Sequence, residues 1–137
     1  MNKLLLIITL CTSTMALASP SHKLDAVKHM YQVDKKVQQG NQTLILFADR
    51  SLQRVFEQMP ADEVCLDHDV MWQSQDPNYR QKLRFYTAQN GRVNVKLGSS
   101  ASVSYSLICT GSQCKITDAF DDGKVSIKKT IIENCLP

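Results

Sequence analysis

The chain has 137 residues, with 16 Lys and Arg against 13 Asp and Glu and a formal net charge of +3. That length suits one domain with a moderate core. The near balance of charge, with only short basic runs at Lys82 and Lys128, argues against nucleic acid or another polyanion as the main partner.

The N-terminus reads "MNKLLLIITLCTSTMALASPSHK". Lys3 precedes an apolar run from Leu4 to Leu10, and small residues follow up to Ala16-Leu17-Ala18. This is the layout of a secretory signal peptide, and cleavage is expected after Ala18. The run is too short for a membrane span, which needs about 20 apolar residues. A lipid anchor on Cys11 would want a small residue before it, and Leu10 stands there. Residues 1–18 are therefore expected to be a leader and 19–137 a single exported domain, periplasmic in location.

The first predicted element is a helix in "SHKLDAVKHMYQVDKKVQQG", with Leu24, Val27, Met30 and Tyr31 at helical spacing. Ser21 is the expected cap and Gly40 the expected stop. "QTLILFADRSLQRVFEQMP" suggests one helix or two short ones breaking near Asp49, the second capped by Ser51. An acidic loop follows, "EVCLDHDVMWQSQD". The period then changes to two in "KLRFYTA", "GRVNVKL", "SVSYSLIC" and "CKITDAF". Three to four antiparallel strands are expected, with turns at Asn90-Gly91 and Gly111-Ser112. After Asp121-Asp122-Gly123, "SIKKTIIENCLP" returns to helical spacing with Ser126 as its cap. Helices first and a meander afterwards predict an α+β domain, with the helices packed on one face of a curved sheet.

Four cysteines lie beyond the leader, and an even count in an exported chain implies two disulfides. Three pairings are conceivable. Gly111-Ser112 suits the centre of a two-residue type II′ turn. Thr110 and Gln113 then form the first, hydrogen-bonded pair. Cys109 and Cys114 become the next, non-hydrogen-bonded pair, where side chains approach most closely. Cys65 is left to join Cys135, closing a long loop for about 3–4 kcal/mol of stability.

This order of elements resembles the NTF2-like and cystatin-like folds, and more narrowly a family of small exported bacterial domains of unknown function. "LDHDVMWQSQD" and the ending "CKITDAFDDGKVSIKKTIIENC" carry the resemblance, which spans about Leu24 to Cys135. It implies a fold of N-terminal helices on a curved sheet with a short C-terminal helix. It implies no settled activity, and two cysteine pairs depart from the usual pattern.

The acidic loop holds the candidate site residues Asp67, His68, Asp69, Trp72 and Asp76. Asp67 and Asp69 begin like an EF-hand loop. Met71, Trp72 and Asn78 then occupy the fifth, sixth and twelfth positions, where a ligand, Gly and Glu are needed. Asp67, Asp69 and Asp76 remain as a looser cation set, against the simpler reading that they cap turns. Cys65 and His68 with Cys109 and Cys114 would make a zinc set, but an oxidising compartment favours disulfides. A Cys65–His68 nucleophile would leave an odd cysteine. No nucleophile elbow or phosphate loop is present. His22 and His29 are expected to be solvated on the first helix. Asn41-Gln42-Thr43 matches a glycosylation acceptor, which a bacterial-looking leader makes irrelevant. Trp72 is either an exposed binding anchor or folds back over the core.

The sequence is thus read as a non-catalytic periplasmic binding domain. One version is an inhibitor or immunity protein against a cell-wall-directed toxin or hydrolase, and this rests on analogy of size and compartment. The alternative is a small periplasmic enzyme with a carboxylate/His site in the Asp67–Asp76 loop. No cofactor, metal, nucleic acid or membrane span is expected; the partner is a protein or small ligand.

Overall fold

The computed structural model describes residues 20–61 and 65–136. The expected leader and its cleavage point lie outside these residues. The elements run α1 (Pro20–Val37), α2 (Asn41–Phe47), α3 (Arg50–Glu57), β1 (Leu83–Thr87), β2 (Val93–Leu97), β3 (Ala101–Thr110), β4 (Gln113–Asp121), β5 (Val125–Ser126) and α4 (Ile127–Asn134). The architecture is α+β, as expected. The sheet has five strands in the order β1-β2-β3-β4-β5, not three to four. The extra strand is the two-residue β5, which pairs antiparallel with Phe120 and Asp121. It is too short to show a period of two.

Helix boundaries follow local chemistry. Val27, Met30, Tyr31 and Asp34 form the buried stripe of α1, at the spacing of one helical face. The helix already includes Pro20, the first described residue, so Ser21 lies within it and is not its cap. The predicted break near Asp49 occurs. Asp49, not Ser51, caps α3, accepting from the Leu52 N–H at 2.8 Å. The extended stretch between α2 and α3 also lies beside β4, where the Asp49 N–H donates to the Ile116 carbonyl at 2.7 Å. Ser126 caps α4, accepting from the Lys129 N–H at 3.0 Å.

β3 and β4 pair as the turn chemistry predicts, with Thr110 opposite Gln113 and Cys109 opposite Cys114. Gly111 has φ of 62°, which glycine adopts without steric cost. The register shifts at Ser106/Leu107, leaving Thr117 as an extra residue on β4; its hydroxyl meets that of Ser106 at 2.8 Å. Both expected disulfides are present, Cys109–Cys114 and Cys65–Cys135.

The core lies between the helices and one sheet face. Val27, Met30, Leu44 and Leu52 meet Val93, Val95, Val103, Tyr105 and Ile116, and Ile127 and Ile131 of α4 close one end. The opposite sheet face carries Ser102, Ser104, Ser106 and Ile108 of β3, of which Ser104 is buried and the others are half-buried or exposed. Among the described residues no helix is long and apolar enough to cross a membrane.

Candidate functional site

The acidic loop does two jobs on its two sides, and the inner side explains its shape. Val70, Met71 and Trp72 are buried in the core. Trp72 is only 1% exposed, so the reading of it as an exposed binding anchor is overturned. Burial of the indole ring leaves an N–H that needs an acceptor. Asp34 of α1 supplies it, with Trp72 Nε1 2.6 Å from Asp34 Oδ2. The ring packs edge-on against Tyr31 and Tyr79.

Asp34 is fully buried, and four donors satisfy it. Its Oδ1 accepts from the N–H groups of Gln39 and Gly40 at 3.0 and 2.8 Å and from the Thr43 hydroxyl at 2.5 Å. One carboxylate thus holds the end of α1, the start of α2 and the loop tryptophan together. Beside it, the Tyr31 hydroxyl donates to the Met71 carbonyl at 2.6 Å and pairs with the Tyr105 hydroxyl at 2.8 Å. Burial pushes both phenols above their usual range, so both stay neutral and can donate. The space beneath the helices is filled by these rings and by Met71.

Asp69 also turns inward. Its carboxylate accepts from the Asn41 and Trp72 N–H groups at 3.1 and 3.0 Å. Asn41 answers by accepting from the Val70 N–H at 2.8 Å. The Asp69 backbone bridges to Ser74. Burial, with a smaller contribution from the Asp34 charge, raises the Asp69 carboxyl above the usual carboxylate range, against the pull of the donated N–H bonds. Gly40 makes this approach possible. It has φ of 52°, and a Cβ there would fall on the Asp69 carboxylate.

The outer side gathers a different set. The Asp67 side chain is 81% exposed. His68 stands between two carboxylates, with Nδ1 2.7 Å from Asp67 Oδ1 and Nε2 3.2 Å from Asp121 Oδ1. Asp121 also accepts from the Gln73 amide at 2.6 Å, and the same amide nitrogen donates to the Val70 carbonyl at 2.8 Å. A carboxylate only accepts, so both ring nitrogens meet their partners as donors when the imidazole is protonated. Partial burial works against that charge, but the two carboxylates outweigh it and raise the His68 pKa. Asp67 is held below the usual carboxylate range by its bond to His68.

Asp67, His68 and Asp69 line a wide, open depression of about 560 Å³, with Gln39, Asn41, Gln42 and Gln75. Asp76 stays apart, exposed, its backbone tied to the Ser74 hydroxyl. Asp67, Asp69 and Asp76 therefore do not share one cation site, and among the described residues no cluster of three or more His, Cys, Asp or Glu is placed to hold a metal. Cys65 is joined to Cys135, which removes it as a zinc ligand or a nucleophile. His29 is exposed and packs against Phe47, whereas His22 is half-buried, and its Nδ1 meets no hydrogen-bond partner among the described residues.

Sequence reasoning missed Asp34, Asn41, Gln73 and Asp121. Asp34 had a usable signal: it stands seven residues after Val27, on the apolar stripe of α1, where an unpaired carboxylate would be costly. Asp121 had none, because it reads as a turn residue and is far from His68 along the chain. Comparison of the chain with protein-family models, curated proteins and solved structures found no match.

Proposed function

We propose that this protein is a non-catalytic binding domain of the bacterial periplasm, and that its acidic loop engages a basic cleft of a protein partner. In its specific form the domain is an inhibitor or immunity protein for a cell-wall-directed toxin or hydrolase. One observation carries the reading. The Asp67–His68–Asp121 cluster is presented on a loop immobilised from beneath by Asp34, Asp69 and Asn41 and stapled at Cys65. A surface held in one conformation before contact loses little entropy on binding. Its carboxylates suit complementary basic groups.

Two features weigh against the enzymatic alternative. Both nitrogens of His68 are engaged by carboxylates, leaving neither free to take a proton from a substrate. The space between helices and sheet, where a pocket would be sought, is filled by Met71, Trp72, Tyr31 and Tyr105.

The test is a pull-down from periplasmic extract with the mature protein, read by mass spectrometry, beside D67K/D76K and a D25K control on α1. A partner retained by wild type and D25K but lost with D67K/D76K is expected. A partner captured equally by all three would end the acidic-loop reading.

A further inference from the structure

The strongest unassigned surface is the far edge of the sheet. Among the described residues β1 pairs only with β2, and its register identifies which backbone groups the sheet leaves unpaired. The Ala88 N–H donates to the Arg92 carbonyl and the Gly98 N–H to the Lys82 carbonyl. The pairs between them follow in order, Leu83 with Leu97 through Thr87 with Val93. Hydrogen-bonded and non-bonded pairs alternate in an antiparallel ladder. Residues 82, 84, 86 and 88 therefore face β2, and Leu83, Phe85 and Thr87 turn their N–H and C=O groups outward. Alongside this edge a slot of about 240 Å³ opens between α1 and β1. Tyr31, Leu83 and Phe85 form its apolar wall, and Lys28, Gln32 and Lys35 form its rim. Among the described residues no acidic side chain lines it.

We propose that this edge receives an extended acidic segment of a partner protein, which adds a further antiparallel strand to the sheet. The three outward residues supply the backbone ladder, as in strand-addition recognition. An apolar side chain of the added strand enters the slot. Its neighbours two residues away on either side point the same way and meet Lys28 and Lys35, which stand seven residues apart, about 10 Å along the helix. The preferred segment is thus acid–x–apolar–x–acid. This surface lies across the sheet from the Asp67–His68–Asp121 cluster, since Asp121 belongs to β4 beside the opposite edge.

The probe is the blocked nonapeptide TTETLTETT, titrated into isotope-labelled mature protein and followed by amide NMR, with TTKTLTKTT as its charge-reversed control. Shifts centred on residues 83–87 are expected, with at least tenfold slower exchange of the Leu83, Phe85 and Thr87 amides. The control peptide should bind at least tenfold more weakly. T87P removes one outward N–H at an exposed edge position where proline is tolerated. K28E/K35E reverses the rim. Each should weaken binding about tenfold or more. The proposal is overturned by absence of binding, by shifts centred elsewhere, by equal binding of the two peptides, or by K28E/K35E binding as wild type does. It is equally overturned if the protein alone protects these amides as its concentration rises, because a second copy would then hold the edge.

Discussion

The buried carboxylate of Asp34 offers the sharpest quantitative test. Asp34→Asn keeps size and shape but replaces one acceptor oxygen with a donor. If the amide oxygen keeps the Gln39, Gly40 and Thr43 donors, the new NH2 group faces the Trp72 N–H across the present 2.6 Å contact. If the amide turns over, it opposes two backbone N–H groups instead. Either way a hydrogen bond to a charged group is lost, about 1.5–3 kcal/mol, and a buried donor is left unmet, about 1–3 kcal/mol more. We expect D34N to lower unfolding free energy by about 3–5 kcal/mol, a large part of the roughly 5–15 kcal/mol available to a domain of this kind. With a urea slope of about 1–3 kcal/mol per molar, the midpoint should fall by more than about 1 M. W72F removes the opposing N–H, so D34N/W72F should cost less than the two single changes added together, by about 1.5–3 kcal/mol of coupling. Far-UV circular dichroism reads all four proteins, which matters because Trp72 is the only tryptophan. A D34N cost below about 0.5 kcal/mol, or additivity within about 0.5 kcal/mol, would refute the role given to Asp34.

Gly40→Ala combines a backbone of φ 52° and ψ −113° with a collision at the Asp69 carboxylate, and should cost at least about 2 kcal/mol in the same urea assay; a neutral effect would contradict the close approach. Removing Cys65–Cys135 as C65S/C135S should cost about 4 kcal/mol and C109S/C114S about 2 kcal/mol, because their sequence separations are 70 and 5 and the longer loop loses more entropy when closed; the reverse ranking would count against this. The raised pKa of His68 means its contribution to stability is fully present below its unfolded value near 6.5 and is lost as pH rises through the higher folded value. H68Q should therefore flatten the decline in the urea midpoint as pH rises above the unfolded value of about 6.5, and an unchanged slope would show that the two carboxylates do not act on it. Burial of Trp72 predicts blue-shifted emission with little acrylamide quenching, whereas strong quenching would place the ring in water.

Several features were readable from local rules because the forces behind them act over a few residues. The period of two in β2 and β3, the glycine that lets Cys109 and Cys114 face each other, and the Ser126 cap all belong to this group. The fate of the acidic loop was not readable that way. Asp67, His68 and Asp69 are consecutive yet face different environments, one in water, one between two carboxylates and one against Gly40. A residue-type pattern cannot distinguish them, because the partners come from α2 and from β4.

The amino-acid sequence by itself determined the α+β class and the order of helices and strands, and it favoured, among three possible cysteine pairings, the one that the structure shows. Periodicity, turn preference and loop geometry are properties of short stretches. Only the tertiary structure decided that Trp72 points inward, that Asp34 receives it, and that His68 meets Asp121. Each of those contacts joins residues more than 30 positions apart. Its favourable energy exists only once burial has removed water from both partners and the fold has brought them to within hydrogen-bonding distance.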